Sequence, residues 1–438
     1  MRGVIRSSTP PWAFWVSARG CIASGRSSGS RHVTRRPARS AIRSGVTERR
    51  AAEAAPPVWD RGDWTSLPRL RGDCSAHSCV VGLGGTGLTL IAELLARSEN
   101  VIGIDARDVG AGAAGRNGGF LLAGCYDFYH DAVRRHGRER ARDIYLASMT
   151  EIERIRQEVP AAVQRVGSKR LAATPEEVED CRAQYDALRA DALPVQWYRG
   201  DDGEGLFLPT DAAFNPLMRC RTLATQVRAE GARLFGHTPL LQLDGTRVIT
   251  PHGVVHAERV FIAVDGGLDL ILPELAGRVR TARLQMLATA PVEPGRIPCP
   301  VYFREGYEYW QQLPDGRVAL GGYRDQGGDG EWTHDATPSH AVQALLERHL
   351  RQRLGIDAPI THRWAASAGY TDTGLPVVEQ VRPNVWAAGG YSGTGNVIGA
   401  MAARGLASAA VDGDDMPLRQ LLGPDWTRCV THGLGVLQ

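Results

Sequence analysis

Ser78-Cys-Val-Val-Gly-Leu-Gly-Gly-Thr-Gly-Leu-Thr-Leu-Ile-Ala-Glu-Leu-Leu-Ala-Arg97, with Val101-Ile-Gly-Ile-Asp105 close behind it, decides how the chain is read. The apolar run Cys79 to Val81 predicts a buried strand. It meets Gly82, Gly84 and Gly87, spaced G-x-G-x-x-G, with Gly85 and Thr86 in the last gap. An amphipathic helix follows, with Leu88, Ile91, Leu94 and Leu95 on one face. A second apolar run ends in an acid, Asp105. Strand, tight turn, helix, strand and acid make a dinucleotide-binding unit. Gly82 allows the turn, Gly84 lets the backbone approach a pyrophosphate, and Gly87 lets the helix pack close to the strand. The helix start offers N–H groups and a positive dipole end to phosphates. Asp105 can accept hydrogen bonds from the adenosine ribose. In a chain with 51 glycines the glycine motif alone says little; its flanks make it specific. It leaves NAD and FAD both open.

The bulk properties frame that unit. The 438 residues are enough for two or three domains, and 43% hydrophobic against 23% charged residues allow a sizeable core. No apolar run approaches the ~18 residues needed to span a membrane. The eight cysteines are scattered with no C-x-x-C pair. We read no disulfide framework and no metal site, which suits a reducing, cytoplasmic setting. The net charge of +3 conceals an asymmetry. Residues 1–50 hold eleven arginines and one acid, Glu48, so the remainder carries about −7. A mildly acidic body gives no reason to expect nucleic acid as a partner.

Residues 1–55 are rich in Arg, Ser, Gly and Pro without an apolar period and read as disordered. Their composition fits a transit peptide, but the preferred reading is a spurious extension from an upstream start. Residues 56–73 read as a lead-in loop that Trp59 and Trp64 pin to the body. After Asp105 comes Ala106-Arg-Asp-Val-Gly-Ala-Gly-Ala-Ala-Gly-Arg-Asn-Gly-Gly-Phe120. Backbone amides in such a loop can cradle phosphate or cofactor edges, with Arg116 and Asn117 adding directed hydrogen bonds. Further on, the pattern predicts helices over 128–158, 175–190 and 216–231. Strands are predicted over 233–243, 247–265, 278–291 and 301–323. Near the end, Val385 to Ala388 predicts a strand, Gly389-Gly-Tyr-Ser-Gly-Thr-Gly395 a second glycine loop, and Val397 to Ala410 a helix of small residues. Residues 413–438 read as a tail.

Three stretches carry a family resemblance: Val81 to Leu88, Ile104-Asp-Ala-Arg107 with Gly112 to Phe120, and Gly389 to Gly395. The chain resembles the FAD-dependent amine and amino-acid oxidoreductases of the D-amino-acid oxidase type, most of all the γ-glutamylputrescine oxidase branch. The likeness runs in order from about residue 56 to 412. It implies an α/β fold: a Rossmann-like FAD-binding domain interleaved with an antiparallel-sheet α+β substrate domain. The first would comprise 74–165, 208–277 and 362–412, the second 166–207 and 278–361. It implies that FAD is held by Gly82, Gly84, Gly85, Thr86, Gly87, Asp105, Ala106 and Arg107. The next loop would add Gly112, Arg116, Asn117, Gly118 and Gly119, and Leu240 would meet adenine through its backbone. Gly390, Ser392, Gly393, Thr394 and Gly395 would place amides at the flavin C2 carbonyl and N1, where negative charge develops on reduction. Members usually carry Glu where this chain has Asp105, and Thr-Gly or Ala-Gly where it has Val264 and Asp265.

The resemblance also implies oxidation of a C–N bond in a small amine or amino acid. A neutral amine gives hydride from the carbon beside nitrogen to flavin N5, and the imine hydrolyses in water. Oxygen or another electron acceptor takes the electrons, an oxidase being preferred to a dehydrogenase. Relatives that use a lysine near the flavin to activate oxygen are not matched, because the single lysine, Lys169, lies elsewhere in the pattern. The hairpin Gly306 to Asp325 would face the flavin ring. Tyr307, Tyr309, Gln311 and Leu313 alternate to one side of it, and Glu308, Trp310 and Gln312 to the other; which side faces the pocket is open. Members that bind an α-carboxylate place an arginine on the strand matching Tyr309–Leu313. None stands there; Arg304 before the hairpin or Arg324 at its far end could serve instead, and amine or modified-amine substrates gain weight over simple glycine or D-amino-acid oxidation. Tyr309, Arg324 and Tyr391 are the candidate catalytic residues, with Trp310 beside them. His237 and His362 read as structural. The alternatives are an NAD(P)-dependent dehydrogenase and a flavoprotein subunit without turnover. Nothing in the sequence identifies a protein partner.

Overall fold

The computed structural model describes residues 55–424 and Trp426; the readings for residues 1–54 and for most of the C-terminal tail lie outside the described residues. Cys74–Val81 is the central strand of the first sheet. Val101–Ile104 and Gly253–Ile262 flank it, both parallel to it, with Arg233–Phe235 beyond the former and Val385–Gly389 beyond the latter. A hairpin of Gln242–Asp244 and Arg247–Thr250 and the antiparallel Val377–Arg382 complete it. Where both faces are covered, at Cys79–Val81, Val101–Ile104 and Val260–Ile262, the strands run continuously apolar. Val80 and Val101 enter one core, under helices Gly85–Ala96, Pro216–Ala229 and Ile398–Ala407, while Cys79, Val81, Ile102 and Ile104 enter the core on the other face. That is the alternation of a pleated strand.

The second sheet has eight strands and is antiparallel except where Val301–Phe303 runs parallel to Ser168–Leu171. Ile360–Tyr370 lies at one edge, paired along its length with Arg280–Thr289. Val318–Gly322 and Glu308–Gln312 follow. Helix His340–Gln352 covers one face through Val342, Leu346 and Leu350. A small third sheet of Phe120–Leu121, Ala212–Phe214 and Val163–Gln164 joins the two layers.

Three local expectations change. The helix expected over 128–158 is two helices, Tyr129–His136 and Arg138–Glu158, because Gly137 turns at φ +85 between them. The strand expected over 233–243 is broken after Phe235 by a turn at His237, φ +47, before Gln242–Asp244 begins. The expected boundary at 361/362 falls inside Ile360–Tyr370, so the chain passes from the second sheet to the first only after Tyr370.

Trp59, 3% exposed, donates its indole N–H to the Asn117 carbonyl at 2.9 Å, and Trp64 donates to Asp108 at 3.3 Å. Both tryptophans thus fasten the lead-in onto the loop that follows Asp105. The six cysteines among the described residues are free thiols, and no helix among those residues is long and apolar enough to cross a membrane.

Asp211 sits where the sheets meet. It is 2% exposed and accepts hydrogen bonds from the Ala123 N–H at 2.8 Å and the Ser168 hydroxyl at 2.6 Å, with no cation paired to it among the described residues. Burial pushes its carboxyl up to about 7 against those two donors. A carboxyl raised on folding binds a proton in the folded state that the unfolded chain has already lost, so stability falls as pH rises between the two values. We expect wild-type stability to decline from about pH 4, the ordinary aspartate range, and to level off above about 7. Asp211→Asn should lack this component, so melting curves across that range should show the variant gaining on the wild type as pH rises.

Candidate active site

The first glycine loop is built by collision. A Cβ on Gly82, where φ is +105, would lie 2.4 Å from the Ala263 carbonyl oxygen, and one on Gly87 would lie 1.9 Å from the Gly82 carbonyl oxygen. Only glycine lets the three segments approach. Helix Gly85–Ala96 starts with no side-chain cap, although Gly85, Thr86 and Gly87 are all buried. A buried, uncapped helix start leaves N–H donors and a positive dipole end in need of an acceptor. A pyrophosphate meets that need, so the residues present fit a dinucleotide cofactor. The second strand delivers Asp105, whose carboxylate accepts from the N–H groups of Leu83 at 2.9 Å and Arg107 at 2.8 Å. Burial pushes its carboxyl up while these donors pull it down. Asp105 therefore stitches the glycine loop to the next segment and still has lone pairs for ribose hydroxyls. Ala106 and Arg107 are exposed beside it, and Leu240 rests its side chain on the apolar core below.

The loop Gly112–Gly119 and the second glycine loop, far apart in sequence, are held together by a reciprocal amide pair. The Asn117 side-chain amide donates to the Asn396 side-chain oxygen at 3.1 Å, and the Asn396 amide donates back at 3.2 Å. Asn117 also donates to the carbonyls of Ala113 and Ala114 and accepts from the Gly119 N–H. Asn396 donates to the Phe120 carbonyl, and Arg219 donates to the Asn396 carbonyl. Arg116 faces inward. It donates to the Ala365 carbonyl at 2.9 Å and the Ala55 carbonyl at 2.8 Å, while its own carbonyl accepts from the Trp364 indole. Burial, reinforced by nearby Arg107, pulls its guanidinium down to about 10. Arg116 thus staples Gly112–Gly119 to the second sheet, and Gln311 adds hydrogen bonds to the Gly118 and Gly119 carbonyls.

The second glycine loop hangs from Asp265. Its carboxylate accepts from the N–H groups of Gly390 at 3.0 Å, Tyr391 at 3.2 Å and Gly369 at 3.1 Å. Desolvation pushes this carboxyl up against the three donors. The Ser392 N–H goes to the Gly369 carbonyl and the Thr394 N–H to the Tyr391 carbonyl. The N–H groups of Gly390, Ser392 and Thr394, expected to face a flavin, are thus engaged within the protein. The N–H groups of Gly393 and Gly395 have no hydrogen bond among the described residues.

Across from these loops stands an aromatic wall. The Tyr309 ring lies against Gly118 and Gly321, where a Cβ would come within 2.9 Å and 2.5 Å of it. Tyr302 stacks on Tyr309 with centroids 6.2 Å apart, and Phe120 packs on both at 5.4 and 6.1 Å. A Cβ on Gly393 would lie 3.8 Å from the Tyr370 hydroxyl. Burial pushes the hydroxyls of Tyr302, Tyr309 and Tyr370 up, yet each residue keeps accessible surface. The three rings are set deep and still leave surface that a ligand can reach. The open question of the pleat is answered. Tyr309 and Gln311 face the cofactor loop; Trp310 faces away, 3% exposed, against Phe303 and His349 under helix His340–Gln352.

Of the candidate catalytic residues, Tyr309 and Arg324 are on this wall, the Arg324 guanidinium 4.9 Å from the Tyr370 ring centroid. Tyr391 is not. It is 5% exposed in the core beneath the first sheet, its ring against Gly395 and Gly399. Arg304 is occupied by Glu308 and Asp325. Lys169 binds Tyr198 and Asp202 on the second sheet, His237 meets Ser66, and His362 meets Thr361. His130, Asp131 and Asp180 lie close enough to hold a cation, but Arg134 and Arg170 already neutralise the two carboxylates. The sequence does not single out Asn396, Tyr302 or Tyr370, and it gives Gln311 only as a member of one hairpin face. Asn396 directly follows the second glycine loop, and Gly321–Gly322 opposite Tyr309 signalled a ring needing room; those were the available cues.

Comparison with known proteins places this geometry. Residues 77–409 match the family model "DAO: FAD dependent oxidoreductase". The chain is 26% identical over 363 residues to "Probable oxidoreductase OrdL" of Rhizobium meliloti (strain 1021), covering 75% of this chain and 81% of that one. It is 26% identical over 347 residues to gamma-glutamylputrescine oxidoreductase of Escherichia coli (strain K12), covering 72% and 79%. Among solved structures, glycine oxidase from Geobacillus kaustophilus superposes with a TM-score of 0.65 at 18% identity, covering 78% of this chain and 95% of that one. L-proline dehydrogenase from P. horikoshii gives 0.65 at 18%, covering 81% and 98%.

The amide pair makes a prediction. Asn117→Ala and Asn396→Ala should each weaken FAD binding by about tenfold, the effect of roughly one lost buried hydrogen-bond network member. The double variant should lose clearly less than the sum, a coupling of about 1 kcal/mol or more. Fluorescence titration of the apoprotein with FAD measures all four values; additive losses would remove the pair's role.

Proposed function

We propose that this chain, which belongs to the DAO family of FAD-dependent oxidoreductases, oxidises a C–N bond of a small, γ-glutamylputrescine-like amine. Family membership excludes the nicotinamide alternative. The observation that carries the finer reading is the aromatic wall of Tyr302, Tyr309 and Tyr370, with Tyr309 against Gly118 of the loop Gly112–Gly119 and Tyr370 near Gly393 of the second glycine loop. The gamma-glutamylputrescine oxidoreductase likeness supports it. We assign the stretches 74–165, 208–277 and 371–412 to cofactor binding and 166–207 and 278–370 to the substrate. The protein is taken to work in the cytoplasm.

The cofactor would be held by the uncapped amides of Gly85 to Gly87, by Asp105, and by the N–H groups of Gly393 and Gly395. When bound, FAD supplies the two-electron acceptor for hydride from the carbon beside nitrogen. The protein does the rest. Tyr302, Tyr309 and Phe120 exclude water and pack the methylenes beside the reacting carbon. Their low-dielectric surroundings disfavour an ammonium, which favours the neutral amine whose lone pair supports hydride loss. The tyrosine hydroxyls, pushed up by burial, stay protonated at neutral pH and act as hydrogen-bonding groups, not bases. Water admitted afterwards hydrolyses the imine.

The purified protein should show oxidised-flavin absorbance. Anaerobic addition from a panel of γ-glutamylputrescine, sarcosine and glycine should bleach it, fastest with γ-glutamylputrescine, and readmitted air should restore it if oxygen is the acceptor. A flavin that bleaches with glycine or sarcosine in preference would overturn the substrate assignment.

A further inference from the structure

Among the arginines packed around helix Gly85–Ala96, one stands apart. Arg404 grips Glu93, Glu151 and Glu158, and Arg97 grips Glu93 and Asp412. Arg219, on helix Pro216–Ala229, is 2% exposed and makes no ion pair among the described residues. Glu151 and Glu158 act on it from a distance, and Arg404 already holds both. Its guanidinium donates to the Asn396 carbonyl at 3.0 Å and to the Thr89 hydroxyl at 3.4 Å, while its Nε has no hydrogen-bond partner among the described residues. Desolvation pulls the guanidinium down from the ordinary arginine value. A buried charge is normally paired, because losing water without a counter-ion is strongly unfavourable.

Its position makes the unpaired charge less favourable still. A Cβ on Gly85 would lie 3.3 Å from Nη1 of Arg219, so the cation rests on the first turn of helix Gly85–Ala96. Asn396, whose carbonyl it holds, stands just before helix Ile398–Ala407. Both helices begin without a side-chain cap, and each brings the positive end of its dipole to this place. A cation is disfavoured at a helix start, and here two starts and one guanidinium share low-dielectric surroundings. Holding the Asn396 carbonyl requires a donor, which a neutral amide side chain would supply. Positive charge gathered without a counter-ion points to an anion that the chain itself does not provide.

We infer that Arg219 is the buried counter-charge for the cofactor's pyrophosphate, acting across Gly85 on the helix start. It touches no reacting atom and is a positioning residue, one that also steadies the Asn396 end of the amide pair. This rests on the FAD assignment above and is independent of which amine is oxidised.

Three variants separate charge from hydrogen bonding. Arg219→Lys keeps the charge, Arg219→Gln keeps a donor for the Asn396 carbonyl without the charge, and Arg219→Met keeps neither. Each apoprotein is titrated with FAD by fluorescence, with ADP as a competitor that carries the diphosphate without the flavin, and is melted without ligand. We expect Arg219→Gln and Arg219→Met to weaken FAD and ADP alike by about tenfold or more, and Arg219→Lys to stay within about threefold of wild type. The Arg219→Gln apoprotein should melt no lower than the wild type, because it loses an unpaired buried charge. Wild-type affinity in Arg219→Gln, or a loss in Arg219→Lys as large as in Arg219→Gln, would overturn the counter-charge. A fall in the melting temperature of the Arg219→Gln apoprotein alongside the fall in affinity would mark a structural role and overturn it as well. A wild-type apoprotein that takes up neither FAD nor ADP would overturn the cofactor assignment and this inference together. FAD bound with the expected charge dependence but bleached by no amine would support the counter-charge and overturn amine oxidation.

Discussion

The reciprocal amide pair of Asn117 and Asn396 is the contact on which the site depends. It joins side chains 279 positions apart in sequence, and each partner also fixes backbone: Asn117 the turn at Ala113–Ala114, Asn396 the carbonyl of Phe120. Amides in a protein interior must find partners or incur a desolvation cost. Here the half-buried partners are Asn117 of the loop Gly112–Gly119 and Asn396 just after Gly389–Gly395, so each loop is satisfied by the other. Rigid placement of both follows from that requirement.

Two aspartates solve the same problem on either side of the central strand. Asp105 follows Val101–Ile104, and Asp265 comes just after Gly253–Ile262. Each directs its carboxylate at backbone N–H groups: Asp105 at Leu83 and Arg107, Asp265 at Gly369, Gly390 and Tyr391. A carboxylate accepting several backbone donors is a strong, compact clasp. In both cases burial pushes the carboxyl up, so the donors must offset desolvation. The consequence for chemistry is selective. Clasped amides are withdrawn from any ligand, and the ones left open, at the first helix start and at Gly393 and Gly395, define where an electron-rich group is received.

The dinucleotide-binding unit and the parallel sheet were legible because they depend on local signals: closely spaced glycines, an apolar strand, an acid at its end; the family and FAD came from the resemblance carried by three separated stretches. Gly82 and Gly87 are where the sequence pattern and the steric demand coincide most closely. What was not legible depends on long-range pairing. Arg116 reads like a cofactor ligand, but its side chain bonds carbonyls at Ala365 and Ala55. Tyr391 sits in a ligand-like loop yet turns into the core, because Gly395 and Gly399 leave room for its ring. Alternation along Glu308–Gln312 shows two faces without telling which meets the cofactor; the helix His340–Gln352, covering Trp310, decides it. Arg304 and Arg324 are equivalent in sequence and are separated only by Glu308 and Asp325, which occupy the first.

Residue-resolved hydrogen exchange of the apoprotein, with and without FAD, tests the account most directly. It predicts that FAD slows exchange at the N–H groups of Gly85, Thr86, Gly393 and Gly395, and changes little at Gly390 and Tyr391, which Asp265 already holds. Protection gained at Gly390 and Tyr391, with Gly393 and Gly395 unaffected, would contradict it.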